Sequence, residues 1–188
     1  DFSGTNNQEA GVDEADFVKT DGYHSYYLQG KNLHIFGVPE FGAVEAASTM
    51  TFADSTPVAM MLDGDQLVVI STMYPWAISN NHPVADAMGW DDEYNTWRSN
   101  SLTKFTVIDI TNRSQPEVDR ELFIEGSYIT AREVNGTVRT ITHAWMNVPG
   151  MASWLNFPSG YWNLEYDDPL RLEIREKLAF QQMQRNSE

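Results

Sequence analysis

Three turn dipeptides punctuate this chain at related intervals: Asp21-Gly22, Asp63-Gly64 and Asn135-Gly136. Asp-Gly and Asn-Gly are strong hairpin signals, because both residues tolerate the positive φ of a type I′ turn. Each dipeptide is preceded by a strand-like run, ADFVKT, PVAMML or YITAREV, and followed by another, YHSYYLQ, DQLVVIST or TVRTITH. Their Val, Tyr, Ile and Thr content favours extended backbone. Asp21 to Asp63 spans 42 residues, and Asp63 to Asn135 spans 72, which is 30 more. A further strand reads LHIFGV (33–38) in the first unit and FTVIDI (105–110) in the second. Asp21 to Leu33 is 12 residues and Asp63 to Phe105 is 42, so the whole excess falls before this strand. After it the units run level, with 30 residues from Leu33 to Asp63 and 30 from Phe105 to Asn135. Fourth strands follow turn-rich links, at 44–52 and 118–125.

The unit is therefore four short strands in about 42 residues, the size of a β-propeller blade. The ranges are about 12–53 for the first blade and about 54–126 for the second, with an insertion at 73–104. A third blade starts at about 127–143 and gives way to an aromatic loop and helix insertion at 144–188. In that last segment Asp167 or Asp168 suits a helix N-cap with Pro169 in the first turn, and Leu170, Ile174 and Leu178 form an apolar stripe. The fold expected is all-β: about two and a half four-stranded blades, forming the N-terminal part of a propeller, with a helix-containing insertion near the C-terminus. Propellers use at least about four blades, so the expected partner is the remainder of the same propeller or a strand-sharing oligomer. Helices between the strands, which a TIM barrel or Rossmann sheet requires, are not indicated.

The opening TNNQEAGVDEADFVKTDG resembles that of the secreted bacterial β-propeller-domain family distantly related to WD40 repeats, in which TN-x-Q-E-x-GVDEAD-x-VK-x-DG leads into the first blade. The residues carrying it are Thr5, Asn6, Gln8, Glu9, Gly11 to Asp16, Val18, Lys19, Asp21 and Gly22. The stretch TVIDITNRSQPEVDRELFIEGSYITAR (106–132) is similar to the family's strand, turn and E-G-S-Y link. The likeness covers most of 5–143. It implies a propeller fold and a secreted, periplasmic or cell-surface location, and it implies no agreed catalytic residues.

Charge and composition narrow the function classes. The net charge of −15, from 27 acidic and 12 basic side chains, repels phosphate backbones, so no nucleic-acid partner is expected. Only Lys19, Lys31, Lys104 and Lys177 are lysines, which suits an extracytoplasmic surface as well as plain solubility. There is no cysteine, hence no disulfide or thiolate chemistry. No run of about 18 apolar residues reads as a membrane span. His24, His34, His82 and His143 stand apart, without the H-x-H or H-E-x-x-H spacing of a zinc site. Ser101-Leu102-Thr103-Lys104 matches S-x-x-K, but it sits at a strand start where i and i+3 face opposite ways, and coincidence is the favoured reading.

Two features remain as candidate sites. Asp13, Glu14 and Asp16 are oxygen ligands close in sequence and form the candidate Ca²⁺ set; the favoured reading has them accepting backbone N–H bonds and pinning the first strand, with Lys19 offsetting their charge. No cofactor is otherwise expected. All six tryptophans fall within 73–104 and 145–166. Strand 2–3 connections emerge on one face of a blade, so both insertions are expected together there, either capping it or lining a cleft for a sugar, peptide or protein. Trp76, Trp90, Tyr94, Trp97, Trp154, Tyr161 and Trp162 are the candidate ligand-binding residues. The functional reading is an extracytoplasmic binding or scaffolding propeller rather than an enzyme. The alternative is a hydrolase or lyase with catalytic residues near Asp91–Glu93 or in blades outside this chain.

Overall fold

The computed structural model describes residues 12–40, 42–79, 81–87, 101–144, 151 and 154–187. The chain divides into two compact units, one of Asp1–Ala85 with Arg98–Trp145 and one of Asp86–Trp97 with Met146–Glu188. The first unit holds three antiparallel sheets. β2 (Val18–Thr20), β3 (His24–Gln29), β4 (Asn32–Gly37) and β5 (Glu45–Thr51) form one meander. β6 (Thr56–Asp63), β7 (Gln66–Met73), β8 (Leu102–Asp109) and β9 (Glu117–Glu125) form the second. β10 (Ser127–Val134) and β11 (Thr137–His143) start a third, and β1 (Val12–Glu14) lies on the other side of β10. These are two complete four-stranded blades and a third sheet, the partial propeller expected.

The three turn dipeptides mark three hairpins but make three different turns. Asn135 and Gly136 both have positive φ, 52° and 76°, as type I′ demands. At the second hairpin Asp63 still pairs with Gln66, so the loop is Gly64-Asp65 with φ 56° at Gly64 alone. Asp21-Gly22 belongs to a four-residue loop, Asp21 to His24, since Thr20 pairs with Ser25. There the Asp21 carboxylate replaces the missing turn bonds by accepting from the Tyr23 and His24 N–H groups at 2.9 and 2.7 Å.

The first three strands of the second sheet form a slab buried on both faces, while β9 is mostly exposed. Side chains alternate along a strand. Met60, Leu67, Val69 and Ile108 thus meet Tyr26, Leu28, Leu33 and Ile35 of the first sheet, while Ala59, Met61, Ile70 and Phe105 join Ala131 of β10. That two-sided burial explains the continuous apolar runs of β6, β7 and β8. The long insertion leaves the ladder untouched: β7 and β8 stay in register from Gln66↔Asp109 to Met73↔Leu102. It therefore occupies 74–101, and Leu102 to Lys104, expected within it, belong to β8.

β1 departs from the expected first blade of 12–53. Its Val12, Asp13 and Glu14 pair with Val134, Glu133 and Arg132 of β10. Asp16 then exchanges two backbone bonds with Met60 of β6, at 3.1 and 2.8 Å, before β2 joins β3. A single opening segment thus touches the first strand of every sheet in turn.

A short helix, α1 (Pro83–Ala87), follows β7, and further along the chain a 3₁₀ turn (Tyr161–Asn163) in the second unit leads to a longer helix, α2 (Pro169–Arg185). Asp168 is its N-cap, accepting from the Leu170 N–H at 2.9 Å, with Pro169 next. Of the expected stripe, Ile174 and Leu178 are half-buried and Leu170 is exposed.

The first two sheets are latched at their turn edge by Arg113, from the β8–β9 link. Its guanidinium donates to Tyr26 Oη at 3.1 Å, Asp65 Oδ1 at 2.5 Å and Asp21 Oδ2 at 3.2 Å. Its carbonyl accepts from Ser48 Oγ at 2.7 Å. Burial disfavours the charge on Arg113, but the bonds to Asp65 and Tyr26 outweigh it and raise its pKa. Burial, with Asp21 alongside, likewise pushes Tyr26 up to about 12, although Arg113 opposes the shift. Burial also pushes the Asp21 carboxyl up, yet the Tyr23, His24 and Tyr26 donors and the His24 ring hold it below its ordinary value. Arg113→Ala is expected to cost about 2 kcal/mol, read as a lower urea midpoint at unchanged slope. Arg113→Lys does not restore it, since a single ammonium cannot span three acceptors. Because the folded Asp21 pKa is depressed, its contribution is present above the ordinary aspartate value of about 3.9 and fades as pH falls through the folded one. The stability gap between the native chain and Asp21→Asn is therefore expected to be full above about pH 5 and to shrink below about pH 4 in pH-stepped denaturation.

Candidate functional site

The acidic opening is a clasp. Lys19 lies on β2 with only 2 % of its surface exposed. A buried ammonium demands a counter-charge and further acceptors. Asp13 Oδ1 supplies the first at 2.6 Å and the Glu14 carbonyl the second at 2.5 Å. The other Asp13 oxygen accepts from the Leu62 N–H at 3.3 Å. Glu14 turns to Arg132 of β10, 3.0 Å away, and Asp16 accepts from the next N–H, that of Phe17, at 2.6 Å. The three candidate Ca²⁺ ligands are thus engaged by three different partners. Among the described residues no group of three or more His, Asp or Glu side chains is placed to hold a metal ion.

A second buried cation sits on the second sheet. Lys104, on β8, meets Asp54 Oδ2 at 2.8 Å and Glu121 Oε1 at 2.7 Å, and its Nζ lies 5.8 Å from the centre of the Phe123 ring. Burial raises the Asp54 pKa, but the bond to Lys104 and its charge more than reverse that. His82 Nε2 stands 3.8 Å from the same carboxylate, and its ring meets Phe123 edge-on at 5.5 Å. The lysine of the S-x-x-K match is thus engaged with two carboxylates.

The tryptophan-bearing segments display flat rings. After β7, Tyr74 and Trp76 stack at 4.6 Å with a 10° interplanar angle, and Trp76 is 79 % exposed. Pro75–Ala77 forms a 3₁₀ turn that holds this pair out from the strand end. Trp90, Tyr94, Trp97 and the Asp91–Glu93 run lie outside the described residues. In the second unit Trp154 is 70 % exposed and Trp162 66 %. Tyr161, also a candidate, is 6 % exposed: it stacks on Phe157 at 4.1 Å and meets Trp162 edge-on at 5.1 Å, so it supports its neighbours rather than facing solvent itself. Trp76 belongs to the first unit and Trp154, Tyr161 and Trp162 to the second.

Sequence reasoning did not single out Arg171. Its guanidinium carbon lies 5.0, 5.8 and 5.5 Å from the ring centres of Tyr161, Trp162 and Tyr166. Tyr166, itself 93 % exposed, stands five residues before Arg171 across a helix start, a spacing that no helical or strand periodicity would connect. Arg113 was equally silent, as one more residue of a turn-rich link.

The clasp separates structural from metal roles for the acidic opening. Asp13→Asn is expected to cost about 3 kcal/mol or more, because it strands the buried Lys19 charge, whereas Asp16→Asn costs under about 1 kcal/mol. Calorimetry of the native chain with Ca²⁺ and then with a chelator is expected to give the same melting temperature.

The family model described as "Beta propeller domain" matches residues 2–186, nearly the whole chain. No curated protein and no solved structure matches it. The match spans both complete blades, the third sheet and the second unit, so the chain belongs to the β-propeller domain family.

Proposed function

We propose that this protein is an extracytoplasmic binding or scaffolding module whose interaction surface is carried by the aromatic insertions. Propeller membership supports the coarse reading, a rigid β scaffold for interactions. The observation that carries the finer one is the outward Tyr74–Trp76 stack, together with exposed Trp154 and Trp162. Large rings left in water on a scaffold with a well-packed core point to recognition. They offer rigid apolar area with a polar edge, suited to a sugar ring or an extended peptide. The charge of −15 and the likeness to a secreted family support the extracytoplasmic setting.

The third sheet also presents apolar surface. Ile129 and Ile141 are exposed, and among the described residues β11 has a strand neighbour on one side only. Such an edge pairs readily with another strand, so the macromolecular partner proposed here is further propeller or a second copy of the chain.

The test is a carbohydrate and peptide array probed with native protein, Trp76→Ala and Trp154→Ala. Native protein is expected to bind a restricted set. Loss of one ring is expected to weaken binding about tenfold or more, equivalent to about 1.4 kcal/mol. Unaltered binding by both variants overturns the aromatic surface as the site.

A further inference from the structure

We propose that Tyr161, Trp162 and Tyr166 form a cage for a quaternary-ammonium ligand, occupied in the present structure by the chain's own Arg171. This rests on the reading of the second aromatic insertion as a ligand surface and names the ligand class.

Arg171 sits in an unusual place for a cation of so acidic a chain. With 27 acidic side chains available, its guanidinium contacts three ring faces and one carbonyl, that of Leu164, at a long 3.4 Å. Among the described residues no carboxylate lies within ion-pair distance of it. All three ring centres fall inside the range of about 6 Å over which the negative π face attracts a cation.

The cage is firm on one side and open on the other. Tyr161 stacks on Phe157, which also meets Trp162 edge-on at 5.4 Å. Asp168 caps α2 and holds Arg171 at the start of the helix, where the Arg171 N–H donates to the Asp168 carbonyl at 2.9 Å. Trp162 and Tyr166 meanwhile remain largely in water. A purely structural cation–π lock gains by burying its rings, because desolvation strengthens the attraction. This one leaves two rings wet and holds its cation weakly.

A quaternary ammonium is the better occupant on chemical grounds. It carries no N–H, so it needs neither the Leu164 carbonyl nor water to satisfy donors, and its methyl groups pack on ring faces. Aromatic cages are used for this class of cation elsewhere. The strongly negative chain concentrates cations near its surface.

The experiment titrates tetramethylammonium chloride into the full chain and its Arg171→Gln and Arg171→Ala variants by calorimetry. Guanidinium chloride is a second ligand, sodium chloride is the ionic-strength control, and far-UV circular dichroism reports the helix. Native protein is expected to bind tetramethylammonium weakly. Arg171→Gln, with its helix intact, is expected to bind at least tenfold tighter, and adding Trp162→Ala removes that gain. If Arg171→Gln with an intact helix binds nothing beyond the sodium control, the cage is not a site. If only guanidinium binds, Arg171 is a structural strut and the proposal falls. Should both Arg171 variants lose helix, the side-chain Nε–H resonance of Arg171 in native protein decides. A shift with tetramethylammonium but not sodium supports displacement, and none overturns it. Trp76 and Trp154 are not cage residues, so an array ligand that depends on them but ignores the Arg171 and Trp162 variants leaves the broader reading standing while this one fails.

Discussion

A buried lysine ties the three sheets together. Lys19 must be neutralised where it lies, and the groups that do so, Asp13 and the Glu14 carbonyl, come from the strand that has already paired with β10. Between them Asp16 bonds Met60 on β6 through two backbone groups. Nine residues thus connect the first strands of all three sheets, by ladder bonds on both sides of one ion pair. Backbone bonds alone would leave the segment free to slip by a residue, since register is weakly specified in a short strand. The buried charge removes that freedom, because a slip carries Asp13 away from Lys19.

The clasp explains why the packing is orderly on either side of it. Once β1 lies on β10 and β2 on β3, β6 has a sheet on each face, and its alternating side chains fill both interfaces: Met60 towards the first sheet, Ala59 and Met61 towards the third. Arg113 acts at the turn edge of the first of these interfaces, where Asp21, Tyr26 and Asp65 converge. A charged latch at a partly wet edge and an apolar slab beneath it divide the work in a physically sensible way. Water screens the first and cannot reach the second.

The repeat was legible because hairpin turns obey local rules. Asp or Asn before Gly announces a reversal wherever it occurs, and strand composition flanks it. The helix cap at Asp168 was equally local. What escaped were contacts between residues far apart in sequence. Which turn each dipeptide makes depended on the pairing of its flanking strands, as with Asp63 and Gln66. The partner of β1 lies some 120 residues away on β10, and nothing near Val12 names it. Asp13, Glu14 and Asp16 were read as backbone acceptors; Asp13 and Asp16 are, whereas Glu14 pairs with Arg132, and the reach of Asp13 to Leu62 required the fold. Tyr161 and Trp162 look alike in sequence, yet Phe157 buries one and leaves the other open. Arg171 was unreadable because its three rings approach from a 3₁₀ turn and a loop.

The insertions carry the residues that the framework does not need. β7 and β8 keep a perfect register across 74–101, so the blade is indifferent to what the connection contains. The side chains placed there and in the segment after β11 are nonetheless among the costliest to leave in water. Trp76 is most of the way exposed beside Tyr74, and Trp162 and Tyr166 stand open around a cation. A core that buries Leu67, Val69, Ile70 and Ile108 completely shows that this sequence can hide apolar groups where stability requires it. Trp76 lies outside such a core on a connection that the β7–β8 ladder tolerates without distortion, which supports its proposed place in a recognition surface.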